Sequence, residues 1–338
     1  MIFKQLGAFS SLDQVEGFFR ETIMKKLIWL FSIPLLVLWS ISSAQAFNVT
    51  IHQLVEHPSL EEAANGFKAV LEESGLEVKF TEYNAQNNVA TSQQIVNSII
   101  SEKPDLILTV GTLTSQSTVN KIKDIPIVFT AVTDPVTAQL VASLEKPGAN
   151  VTGTSDMTPI SDQIALIKEI QPDLKTVGVI YNPGEVNSQV QVDLVKKAAQ
   201  SLGINVQEAV ASNNANVYSA AQSLVGKAEA IFIPTDNTVI SSFESVLKVA
   251  TDRKIPVYPA EADSLKKGGT AALSLSYYEL GRQTGLMAVK ILKGEVKPSD
   301  IPVQTQEKFD LFLNSDFNNL IGLTIPQSIA DRAQEVTK

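Results

Sequence analysis

Two histidines, His52 and His57, and no cysteine leave this chain few routes to covalent or metal chemistry. A Ser-His-Asp nucleophile would have to use one of those histidines, and no Gly-x-Ser-x-Gly elbow occurs. Thiolate nucleophiles, disulfides, thiolate metal sites and a lipidated cysteine anchor are all excluded. No histidine cluster suits a transition metal, and no spaced Asp-x-Asp-x-Asp-Gly loop suits calcium. Gly111-Thr112-Leu113 carries one glycine and no Lys-Ser/Thr, so neither a dinucleotide fingerprint nor a Walker motif is present. The sequence therefore predicts no catalytic residue, no metal ligand and no cofactor.

What remains is a set of small polar residues, each just beyond a hydrophobic run: Thr112, Asp134, Asn187 with Ser188, and Asp236 with Asn237. Any one of these could simply cap a helix. Together they suit a zwitterion. A carboxylate such as Asp236 can take an ammonium in a charge-assisted hydrogen bond. Amides and hydroxyls at helix starts (Thr112, Asn187, Ser188) can hold a carboxylate without arginine. Phe129 or Tyr181 could supply aromatic surface to a side-chain pocket, or belong to the core. His52 either points into a cleft or makes a structural hydrogen bond. His57, before Pro58, is expected to be solvated.

These residues are positioned by strands and helices that alternate. Thr176–Gln189 shows the pattern: a buried run through Tyr181, the breaker Asn182-Pro183-Gly184, then a helix whose amides start exposed. From Phe47 the chain predicts a strand, a helix ending at Gly75, strands at Glu77–Tyr83, Pro104–Val110 and Ile125–Phe129, and a helix over Val136–Ser143. The order then returns. Val49 to Val177 and Gly75 to Gly203 are each 128 residues apart, Asp105 to Glu229 is 124, and Ile125 to Ile255 is 130. This echo predicts an α/β fold of two doubly wound parallel-sheet lobes. Gly148–Thr158 reads as the first crossover, and the helix from Tyr277 as a return to the first lobe. Lobe 1 is then 47–156 plus about 277–302, and lobe 2 is 157–276 plus about 303–338, with a multi-crossover hinge between them.

A pI near 4.9 and a net charge of -9 argue against a nucleic-acid partner. At the N-terminus, Met24-Lys25-Lys26 precedes a 16-residue apolar run and then Ser43-Ala44-Gln45-Ala46. That is the make-up of a secretory signal over 24–46 cleaved after Ala46, with translation starting at Met24 and residues 1–23 lying upstream of it. An uncleaved anchor is the alternative, although the run is short for a full span.

Several segments resemble the tryptophan/tyrosine-binding-like family of ABC-transporter substrate-binding proteins. They are Ile125–Phe129 with Val132–Val136, Leu144–Gly153, Tyr181–Ser188, Pro234–Val239, Gly268-Gly269 with Tyr277–Gly281, and Ile301–Val303. The resemblance covers residues 47–338. It implies a type I periplasmic-binding fold and capture of a small amino-acid ligand, often aromatic or branched. It also implies a permease partner in the cytoplasmic membrane, an extracytoplasmic location, and Thr112, Asp134, Asn187, Ser188, Asp236 and Asn237 as cleft residues. Family members with a lipidated cysteine differ from this chain, which has Ala44-Gln45-Ala46 instead. A monomer that closes without covalent chemistry is expected; a sensor ectodomain and an enzyme on the same frame are the alternatives.

Overall fold

The computed structural model describes residues 46–336, so the predicted signal lies almost wholly outside the described residues. The first sheet contains β1 (Phe47–Gln53), β2 (Val78–Asn84), β3 (Leu106–Val110), β4 (Ile127–Thr130), β5 (Val151–Ser155) and β11 (Gln304–Thr305). Their order is β2-β1-β3-β4-β5-β11, and every pairing is parallel. The second sheet holds β6 (Thr176–Tyr181), β7 (Asn205–Val210), β8 (Ala230–Ile233) and β9 (Val257–Pro259), ordered β7-β6-β8-β9. A small third sheet joins β10 (Ala271–Ser274), β12 (Asp310–Leu313) and β13 (Gln334–Glu335).

Sequence explains which strands sit inside. The runs LILTV of β3, IVFT of β4 and AIFI of β8 are buried at every residue, as parallel strands covered on both faces must be. VKFTEYN of β2 and NVQEAV of β7 are polar and half exposed, and each ends its sheet.

Helices cover both faces. α1 (Pro58–Glu73), α2 (Val89–Glu102) and α3 (Thr112–Lys121) follow β1, β2 and β3. The second lobe adds α4 (Ile160–Ile170), α5 (Val186–Ser201), α6 (Val217–Ser223), α7 (Asn237–Ile240) and α8 (Phe243–Arg253). α9 (Tyr277–Leu292) then packs on α1, and α10 (Ser315–Ile321) and α11 (Gln327–Ala330) close the chain. The α1–α9 pair shows why glycine is needed there. A Cβ on Gly281 would lie 1.9 Å from the Ala63 carbonyl oxygen, and one on Gly66 2.0 Å from that of Tyr278. The two backbones touch, and any larger residue would part them.

One apolar core surrounds the first sheet and includes Tyr277, Leu280 and Met287 of α9; two further cores fill the faces of the second. The chain crosses between the lobes after β5, before α9 and after β11. The expected two-lobed parallel α/β architecture is what the chain adopts.

One local expectation fails and another is extended. Val136–Ser143 forms no helix but a knot of turns, with Ala138 N donating to Asp134 O and Leu140 N to Pro135 O. Pro135 and the left-handed φ of 59° at Gln139 interrupt the helical ladder. Gly148–Thr158 is more than a crossover, since β5 lies within it as a fifth strand.

Candidate functional site

In each of the two parallel sheets the first strand in the chain, β1 or β6, pairs on one side with the strand that follows it and on the other with the next but one. The connections leaving β1 and β3, and likewise β6 and β8, therefore diverge, opening a crevice at the carboxyl ends of the strands where ligands bind in open α/β sheets. The two crevices face each other. Between them lies a narrow gap of about 10 Å³, room for about one water molecule, walled from the first lobe by His57, Leu60, Ala131 and Thr133 and from the second by Asn187, Thr235, Asp236, Asn237, Ile240 and Glu261. Asp156 and Tyr277, beside two of the crossovers, complete the wall.

The second lobe's rim is a closed network of hydrogen bonds. Asp236 caps α7, accepting from Val239 N at 2.8 Å, while its other oxygen accepts from Asn182 N at 2.6 Å and Ser188 Oγ at 2.7 Å. Glu185, at the N-cap position of α5, spends both oxygens on the start of α7. It takes Asn237 N (3.0 Å), Asn237 Nδ2 (2.7 Å), Thr238 N (2.9 Å) and Thr238 Oγ1 (2.7 Å). Asn187 donates to Thr235 O at 2.8 Å and to Glu185 at 3.2 Å. Burial, and then the nearby Glu185 charge, push the Asp236 carboxyl up to about 8.

The first lobe's rim is neutral apart from Asp156. Tyr277 Oη donates to one Asp156 oxygen at 2.8 Å and Thr133 Oγ1 to the other at 2.9 Å, while burial raises the pKa of that carboxyl. Thr133 also meets Thr235 Oγ1 across the gap at 3.0 Å. Because Thr133 gives its proton to Asp156, Thr235 is the donor in that contact, and Gln191 Nε2 donates in turn to Thr235. Further bridges join the lobes: His57 Nε2 with Asn237 Oδ1 at 3.3 Å, Ser59 Oγ with Glu261 at 2.5 Å, and Asn87 Nδ2 with Thr238 Oγ1 at 3.0 Å.

Of the residues singled out from sequence, Asn187, Asp236 and Asn237 line this space. The others do not. Ser188 is buried behind Asp236. Thr112 is buried at the start of α3, away from the wall. Asp134 turns aside to hold its own turn, accepting from Val136 N, Thr137 N and Thr137 Oγ1. Its neighbour Thr133 faces the gap instead. Phe129 is fully buried in the first core, and Tyr181 donates outward to Glu208 at 2.7 Å. His52 takes the structural role: fully buried in β1, it pairs with Thr118 Oγ1 (3.0 Å) and Ser92 Oγ (3.2 Å) of the covering helices. Asp236 is not an open carboxylate, because three donors of its own lobe already occupy it.

His57 corrects the expectation of a solvated residue. It is 7% exposed and lines the gap, and burial lowers its pKa to about 4. Thr133, Asp156, Glu185, Thr235, Glu261 and Tyr277 were also missed. The internal repeat carried a signal for some of them: the offset of 128 sets His57 opposite Glu185, and that of 130 sets Ala131 opposite Glu261. Among the described residues no group of His, Cys, Asp and Glu is arranged to hold a metal, and no helix is long and apolar enough to cross a membrane.

Residues 48–337 match the family model described as ABC transporter substrate binding protein. The chain is 43% identical over 273 residues to a protein named tyrosine-binding protein from Clostridioides difficile (strain R20291), covering 80% of this chain and 79% of that one. It superposes with a TM-score of 0.83, at 32% identity, on the structure of an ABC domain from Streptococcus pneumoniae in complex with L-Trp, covering 86% of this chain and 100% of that one. Against a ligand-free, open structure of a substrate-binding protein with adhesive properties from Clostridium difficile, the TM-score is 0.66 at 42% identity, over 87% of this chain and 100% of that one.

Proposed function

Since the chain belongs to the ABC transporter substrate-binding protein family, whose members capture a solute outside the cytoplasm for a membrane permease without catalysing a reaction, we propose that its solute is an aromatic amino acid bound between the two lobes. One observation carries this reading. The rims of both lobes meet around a narrow gap whose wall holds Asp156, Asp236 and Glu261 but no lysine or arginine. Such a wall suits an ammonium group, and Leu60, Ile240 and Tyr277 add apolar surface for a ring. The ligand's carboxylate is left to amides where a helix starts, and α1 opens at this wall with His57-Pro58-Ser59.

Closure is the binding step. Only the shut form joins His57 to Asn237 and Thr133 to Thr235, so a ligand touching both rims shifts the population toward it. The likeness to relatives supports a hinge. The chain superposes better on the L-Trp complex than on the open clostridial structure, despite lower identity to the former. The moving bodies are residues 47–156 with about 277–302, and 157–276 with about 303–338, the last boundary falling just after β11, since that strand pairs with β5. Asn187, Asp236 and Asn237 belong to the binding wall. Secretion uses the 24–46 signal with cleavage after Ala46, and the mature protein works as a monomer beside its permease.

Calorimetry with L-tyrosine, L-tryptophan and D-glucose tests the solute class. An aromatic amino acid is expected to bind near the micromolar range, about -8 kcal/mol, with no heat from the sugar. Sugar binding without amino-acid binding would overturn the proposal. Intact mass of the secreted protein tests cleavage, which a mass including residues 24–46 would exclude.

A further inference from the structure

Two acceptor atoms at this wall have no hydrogen-bond partner: Glu261 Oε1 and His57 Nδ1. Glu261 is 1% exposed and His57 7%, and both line the gap. They come from opposite sides, Glu261 just after β9 and His57 at the N-cap of α1. The second Glu261 oxygen is already engaged across the gap, accepting from Ser59 Oγ at 2.5 Å and from Ser264 N at 3.0 Å. The His57 tautomer follows from its neighbour. Asn237 gives its amide hydrogen to Glu185, so its oxygen faces His57, and Nε2 carries the ring proton. Nδ1 is thereby left as a bare lone pair.

Donors on the wall are committed. The Asn187 amide serves Thr235 and Glu185, the Asn237 amide serves Glu185, and the hydroxyls of Tyr277 and Thr133 serve Asp156. Buried acceptors without partners are costly, and a wall with acceptors to spare complements a ligand rich in donors. A primary ammonium offers three N–H groups and the opposite charge.

We propose that Glu261, assisted by His57 Nδ1, receives the ligand's primary ammonium. Recognition then rests on that group and not on the carboxylate, so the site also takes the arylalkylamine that lacks one. This rests on the interlobe cavity being the solute site, as proposed above.

Calorimetry on the purified protein with L-tyrosine, tyramine and 3-(4-hydroxyphenyl)propionate separates the possibilities, using wild type, Glu261→Gln and Tyr181→Phe. Tyramine is expected within tenfold of tyrosine, and the propionate at least 100-fold weaker. Glu261→Gln should weaken tyrosine and tyramine at least tenfold. Tyr181→Phe, which lies outside the wall, should change either by less than threefold. If Glu261→Gln does not fold, the three ligands on wild type decide alone. Propionate as tight as tyrosine, tyramine more than tenfold weaker than tyrosine, or tyrosine unchanged in Glu261→Gln would each overturn the proposal; the last would leave the amino-acid reading standing. Tyramine binding without tyrosine binding would retire the amino-acid reading and keep the ammonium site. No heat from any of the three, nor from L-tryptophan, would overturn both.

Discussion

His57 and Glu185 hold the same place in two copies of one design. Each sits at the N-cap of the helix that follows its parallel sheet's first strand, and they are 128 residues apart, as are Val49 and Val177. By offsets of 124 and 130, Thr112 answers to Asp236 after β3 and β8, and Ala131 to Glu261 after β4 and β9, although Thr112 is the first residue of its helix where Asp236 is the N-cap. At three equivalent points the first lobe carries His, Thr and Ala where the second carries Glu, Asp and Glu. The backbone plan is shared, but the charge sits on one jaw. Two of the three acids, Glu185 and Asp236, are spent holding α7 and its approach in place, which leaves Glu261 with an open oxygen. The second lobe is thus a preorganised acidic wall, and the first closes on it with neutral groups apart from Asp156.

The largest effect should separate the two N-caps. Glu185→Ala strands at least four donors at the start of α7 and is expected to cost about 3 kcal/mol of stability in urea titration. His57→Ala removes an imidazole that makes no capping bond and should cost about 1 kcal/mol. Equal losses would break the comparison. Asp236→Ala belongs with Glu185→Ala, because it removes a helix cap and the acceptor of three donors.

Acid–base behaviour sharpens the contrast. Asp236 is raised from 3.8 to about 8, so its contribution is fully present below about pH 4 and is lost as pH rises toward 8. Burial lowers His52 and His57 from 6.5 to about 4, so theirs is present above pH 6.5 and lost as pH falls toward 4. The second lobe therefore weakens the alkaline limb and the first the acid limb. Urea midpoints from pH 4 to 8 should show Asp236→Asn flattening the alkaline limb and His57→Asn the acid one; the reverse assignment would refute the sign.

Smaller effects fall on candidates from sequence that the fold holds away from the cleft. His52→Ala loses two buried partners and should cost about 1–2 kcal/mol with ligand affinity unchanged. Tyr181→Phe removes one outward contact to Glu208 and should change stability by less than about 1 kcal/mol and affinity not at all. A tenfold loss of affinity in either variant would return that residue to the site.

The fold was legible because parallel strands covered on both faces read as unbroken apolar runs, and the repeat of the runs gave away the second lobe. The site was less so. Strand ends locate a rim to within a residue or two, yet adjacent residues face opposite ways, so Thr133 and Asp134 exchange roles at the end of β4. Nor does composition reveal that an acid's oxygens are already spent, as Asp236 shows. Asp156 and Tyr277 meet only because two distant crossovers pass side by side, 121 residues apart in the chain.

The most direct measurement uses the absence of cysteine. Asn87 and Asn214 meet across the two lobes at 3.4 Å, outside the wall of the cavity. In an Asn87→Cys/Asn214→Cys variant under mild oxidant, disulfide formation should be several-fold faster with saturating L-tyrosine or L-tryptophan than without. Bound amino acid that leaves the rate unchanged would contradict closure of the two jaws on their solute.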